Sequence, residues 1–75
     1  MRRNYPPDGF TERLNEAIYK SGLSMTVITR RAQISESCYY SYVHGYTTPS
    51  VKTLASLCRL LHVSADYLLF GKKVG

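Results

Sequence analysis

The stretch from Gly22 to Gly45, GLSMTVITRRAQISESCYYSYVHG, limits what this chain can fold into more than any other part of it. Two short patterns of helical spacing lie on either side of a break at Gln33-Ile34. Each opens at a serine, Ser24 and then Ser35, where a side-chain oxygen can accept a bond from a free amide of the first helical turn. Glu36 follows Ser35 at once, and its charge suits the positive end of a helix. The spacing therefore predicts a helix over Met25–Ala32, a tight turn, and a second helix over about Glu36 to His44, closed by Gly45.

The rest of the chain supplies helices to pack against this pair. Phe10, Leu14, Ala17, Ile18 and Ser21 recur on one face of a helix from about Phe10 to Ser21, with Glu12, Asn15, Glu16, Tyr19 and Lys20 on the other. Gly22 is a suitable residue just past its end. In the second helix Met25, Ile28, Thr29 and Ala32 point inward, and Val27, Arg30 and Arg31 outward. After the loop Tyr46-Thr47-Thr48-Pro49, a fourth helix starts near Ser50. Its expected buried stripe is Val51, Leu54, Ala55, Leu57, Cys58 and Leu61, with Lys52, Ser56 and Arg59 opposite. His62-Val63 leads to a short fifth helix capped by Ser64, anchored by Tyr67 and Leu68 and stopped at Gly71. No alternating strand pattern and no internal repeat is present, so the expected fold is all-α, five helices around one small core.

At 75 residues the chain is read as one domain over 10–71, between a flexible basic tail at 1–9 and a short tail at 72–75. Pro6 and Pro7 disfavour helix in the first tail, and Asp8-Gly9 signals a turn. A hydrophobic fraction of 44% is too high for a disordered chain. A net charge of +5 leans toward a polyanionic partner. Cys38 and Cys58 do not form the framework of a disulfide-stapled secreted domain, and His44 and His62 do not pair with them at zinc-finger spacing. The expectation is two reduced thiols and no metal. No apolar run approaches the ~20 residues of a membrane span, and MRRNYPPDG lacks the apolar core of a secretory signal. A cytoplasmic, nucleoid-associated location is expected.

Two short helices joined by a turn of three or four residues form the skeleton that presents its second helix to a DNA major groove. On that second helix, Tyr39, Tyr42 and Val43 share one side at 100° per residue, and Glu36, Ser37, Tyr40, Ser41 and His44 share nearly the opposite one. An ordinary solvated face would look the same, since every surface helix has a polar side. A major groove also fits it. Serine can donate or accept, glutamate can accept from cytosine N4, and tyrosine can bond phosphate or pack on a thymine methyl.

A longer series then carries a resemblance: Leu14, Gly22-Leu23-Ser24, Ile28, Arg31-Ala32, Ile34-Ser35, Gly45, Pro49-Ser50, Leu54, Leu57, Leu61, Val63-Ser64, Asp66-Tyr67-Leu68-Leu69 and Gly71. Spaced without a gap over about three quarters of the chain, it resembles the lambda-repressor/Cro-like (Xre-type) helix-turn-helix domains. The resemblance implies a five-helix DNA-binding domain acting as a sequence-specific transcriptional regulator on double-stranded DNA. Such a domain is often a homodimer and needs no cofactor. No Ser-His-acid arrangement, metal site or glycine-rich phosphate loop stands out and 75 residues leave little room for a pocket, so no enzymatic activity is expected. Carried over position by position, base reading falls on Glu36, Ser37, Tyr40 and Ser41. Phosphate contact falls on Ser24, Met25, His44, Tyr46, Thr47 and Thr48, with Arg30, Arg31, Lys52 and the tail cations Arg2, Arg3, Lys72 and Lys73 as sources of positive charge.

The chain departs from the family pattern at several of these positions. Met25 and Glu36 stand where many members have glutamine, and the loop after Gly45 is neutral where the family is often basic. Gln33 stands where the turn often has glycine, and a left-handed backbone there costs Gln33 roughly 1–2 kcal/mol. Tyr39 and Tyr42 are expected at the core, and Tyr40 and Tyr46 exposed. Leu60, expected on the outer side of the fourth helix, would with Phe70 and Val74 form a candidate dimer interface. The alternative to DNA reading is a protein-interaction module of the same fold, antitoxin-like or polymerase/sigma-binding, favoured by the neutral loop and the tyrosine-rich face.

Overall fold

The computed structural model describes residues 8–71. Five helices follow in order: α1 (Phe10–Ser21), α2 (Met25–Ala32), α3 (Glu36–Val43), α4 (Val51–Leu61) and α5 (Ala65–Phe70). No strand occurs among the described residues, and the fold is all-α. Arg2, Arg3, Lys72, Lys73 and Val74 lie outside the described residues.

Serine punctuates the chain as its spacing predicts. The hydroxyl oxygens of Ser24, Ser35, Ser50 and Ser64 accept from the backbone N–H of Val27, Cys38, Thr53 and Tyr67 at 3.2, 3.1, 3.3 and 3.0 Å. Each bond satisfies one of the amides that a helix start leaves without an internal partner. The helix ends rely on left-handed residues: Gly22 after α1, Gly71 after α5, and two non-glycines, Gln33 after α2 (φ 58°) and His62 after α4 (φ 60°). Gln33 is thus in the strained conformation anticipated for it, and His62 repeats the device. Helix α3 ends one residue early: His44 is its C-cap rather than its last residue, and Gly45 (φ 80°) makes the left-handed step.

The core is Phe10, Leu14 and Ala17 of α1, Ile28 and Ala32 of α2, Leu57 and Leu61 of α4 and Leu68 of α5. Each large member removes apolar surface worth about 1.5–3 kcal/mol from water. Helix α3 contributes no buried residue. Tyr39 and Tyr42 are half-buried against the core and hold it in place. The Asn15 Nδ2 amide of α1 donates to the Val43 carbonyl at 2.9 Å, fixing the C-terminal end of α3. A second long-range tie, absent from the sequence reading, is Arg13: its Nε donates to the Leu68 carbonyl at 3.0 Å and its Nη2 to the Asp8 carbonyl at 3.1 Å, joining α1 to the end of α5 and to the preceding turn.

The α4 stripe is narrower than expected. Leu54, Leu57, Cys58 and Leu61 face the core, but Val51 is 85% exposed and Ala55 is exposed, while Ser56 is half-buried. Ala55 lies about 160° around the helix from Leu57, and Val51 sits in the first turn, beyond the edge of the core. Leu60 also departs from expectation: it is half-buried and packed against the core rather than on the outer side. It lies about 60° from Leu57, on the flank next to the linker to α5.

Candidate nucleic-acid interface

Ser35 starts α3 and Asn15 holds its end, so the side chains between them project from a helix tied at both termini. Inward, burial raises the pKa of the Tyr39 hydroxyl, with Tyr40 adding to the effect. Burial likewise raises that of Tyr42; neighbouring Cys38 adds to the rise and Thr53 partly offsets it. Outward, Glu36, Ser37, Tyr40 and His44 are exposed and Ser41 is half-buried. The four residues proposed for base reading therefore lie on one helix flank that the core leaves uncovered.

The aromatic side chains of this face touch one another. Tyr40 and His44, one helical turn apart, stack with ring centroids 6.1 Å apart and planes 18° apart. Tyr46 adds a third ring 5.8 Å from His44, and Tyr39 meets the edge of Tyr40 at 5.9 Å. Gly45 makes this possible. Its left-handed backbone turns the chain back so that the Tyr46 N–H donates to the Ser41 carbonyl at 2.8 Å, which brings the Tyr46 ring over the end of α3. The i, i+4 spacing of Tyr40 and His44 was a readable signal for the first pair. The return of Tyr46 was not, because it depends on the turn.

The residues proposed for phosphate contact are more dispersed. The Ser24 oxygen is occupied as an acceptor by its capping bond but keeps a proton to donate. Met25 and Thr48 are half-buried; Arg30, Tyr46, Thr47 and Lys52 are exposed. Arg31 is exposed too, but it lines a groove of about 960 Å³ between α1, α2 and the α4–α5 linker, to which no residue of α3 or its following loop contributes. From residue 36 to residue 50 the one formally charged side chain is Glu36, so positive charge reaches α3 only from neighbouring elements. Of the residues proposed for dimerisation, Phe70 is 64% exposed, Leu60 is half-buried, and Val74 lies outside the described residues.

Among the described residues no three histidine, cysteine or acidic side chains come together as a metal site. No helix of the described residues is long and apolar enough to cross a membrane. Both cysteines are free thiols; Cys38 is exposed, and burial raises the pKa of Cys58. No curated protein matches the chain. A family model described as helix-turn-helix matches residues 16–68, from the middle of α1 into α5. That match covers more than two thirds of the sequence, including the capped pair α2–α3 and the packing positions around it, and the chain belongs to the Xre/lambda-repressor-like helix-turn-helix family of DNA-binding regulators.

Proposed function

We propose that this protein is a sequence-specific transcriptional regulator of repressor type that lays α3 in the major groove of double-stranded DNA. The observation that carries the reading is α3 itself, a capped helix with no buried residue whose outer flank offers Glu36, Ser37, Tyr40 and Ser41 together. These four read base edges: the serines donate or accept, Tyr40 packs on a thymine methyl, and Glu36 accepts from a cytosine amino group while repelling phosphate. Ser24, Met25 and the polar segment His44, Tyr46, Thr47 and Thr48 lie along the backbone, and Arg30 and Lys52 supply direct positive charge. Arg31 contributes through the field of the whole domain. A homodimer on a palindrome, with Phe70 in its interface, would set its two α3 helices about 34–36 Å apart. The protein would act in the cytoplasm on the nucleoid, without catalysis or cofactor.

A second reading, a protein-binding module using the same face, is favoured by the exposed row Tyr40, His44 and Tyr46, since tyrosine is enriched at protein interfaces. Selection from a random duplex pool at several salt concentrations separates the two. A DNA reader enriches one motif, and its affinity falls linearly with salt on logarithmic axes. Tyr40→Ala and Ser41→Ala then relax base preference more than they weaken binding to random DNA. No enriched motif, with affinity indifferent to both substitutions, would refute the DNA reading.

A further inference from the structure

On the side of the molecule lined by α1, the end of α2 and the α4–α5 linker lies the open groove that holds Arg31. Its apolar lining includes Ala17, Leu23, Leu60, Leu61 and Val63, and the half-buried Leu60 stands in the wall of a trough. Its polar lining is unbalanced in charge. The Glu16 carboxylate, the single acid there, pairs with Lys20 at 3.2 Å and accepts from the Tyr67 hydroxyl at 3.2 Å. The Arg31 guanidinium forms no ion pair among the described residues, and the His62 imidazole stands nearby on the strained left-handed residue that ends α4. A planar guanidinium left unmatched beside an apolar trough is complementary to a carboxylate carried on an apolar ligand.

We infer that this groove docks an acidic amphipathic helix of a partner protein, its apolar face against Leu23, Leu60 and Val63 and its carboxylates on Arg31 and His62. Charge complementarity selects this occupant. The segments of this chain at 1–7 and 72–75 carry Arg2, Arg3, Lys72 and Lys73 and no acidic side chain, so their side-chain charge does not complement Arg31. A second copy seated on this groove in a two-fold arrangement brings its own Arg31 rather than a carboxylate. An amphipathic helix in a groove is read through apolar anchors at i, i+4 and i+7, and a trough open to solvent admits such a helix from the side. Because α3 does not line the groove, the partner can dock whether or not DNA occupies α3; Arg31 also adds to the positive field of the domain, so the test reads peptide binding with no DNA present.

The test titrates the full chain with a fluorescent helical peptide carrying leucines at i, i+4, i+7 and i+11 flanked by glutamates, and with its lysine counterpart. The glutamate peptide is expected to bind about tenfold tighter, and Arg31→Glu to reverse that order. Arg31 is on the surface, so the variant is expected to fold, which circular dichroism checks. In parallel, amide shifts of the labelled protein should move at Leu23, Leu60 and Val63 and not along α3. Equal affinity for both peptides, no binding, or shifts centred on Tyr40 would overturn the inference. So would binding of decanoate without the peptide, which would assign the groove to a small anionic amphiphile, or a dimer abolished by Arg31→Glu, which would assign it to a second copy.

Discussion

Gln33 ends α2 with φ 58° and ψ 48°, in the turn that sets the angle between α2 and α3. An L-residue with a side chain is strained there by about 1–2 kcal/mol, because its Cβ crowds the following carbonyl oxygen. Glycine has no such strain, but it frees the unfolded chain and so returns about 0.4–1 kcal/mol of the gain. Gln33 is exposed, so truncating it loses no packing. Its N–H bond to the Thr29 carbonyl, and that of Ile34 to the same oxygen at 3.0 Å, are backbone bonds that any residue keeps. Gln33→Gly should therefore stabilise the domain by about 0.5–1 kcal/mol, or about 2–8 °C in Tm for a domain of this size. Urea and thermal unfolding followed by circular dichroism measure it. The series at position 33 should rank Gly above Asn, and Asn above Gln and Ala, following tolerance of the left-handed region rather than helix propensity. His62→Gly should add independently, since the two turns are separate. If Gln33→Ala stabilises as much as Gln33→Gly, backbone strain is not what the glutamine costs and the reasoning fails.

Other consequences can be measured on the same purified protein. Gly45→Ala places a Cβ 3.0 Å from Thr11 Oγ1 at a φ of 80°, and should cost about 1–2 kcal/mol of stability; Thr11→Ala relieves the contact but not the backbone strain, so it should rescue only part of the loss. The raised hydroxyl pKa values of Tyr39 and Tyr42 mean that folding favours their neutral forms. Their contribution is complete below the unfolded tyrosine pKa of about 10 and is lost as pH rises through the higher folded values; Tyr39→Phe with Tyr42→Phe, compared in a Cys58→Ala background, should flatten the fall in Tm there. Cys38 should react with a disulfide reagent about tenfold faster than Cys58, because it is exposed and Cys58 is half-buried with a raised thiol pKa; equal rates in the folded protein would contradict that burial.

What could be read from the sequence was local. Ser24, Ser35 and Ser64 announced their helices because a cap is a contact between residues three apart, and Gly22 and Gly71 announced the stops because left-handed backbone favours a residue without Cβ. The outward flank of α3 followed from angular position alone, since Tyr39 and Tyr42 are its apolar side. Errors came where a residue's surroundings belong to another element. Val51 and Ala55 matched an apolar pattern but fall outside the strip of α4 that its neighbours cover, and Leu60 was drawn into the wall of a groove by the linker to α5. The aromatic row through His44 to Tyr46 needed the Gly45 turn, and the ties made by Arg13 to Leu68 and by Asn15 to Val43 span 55 and 28 residues. Caps, periodicity and turn residues act within one turn of the chain and are written there. Which side of a helix meets a neighbour, and that Arg31 lines a groove apart from α3, is settled only when distant segments pack and exclude water between them.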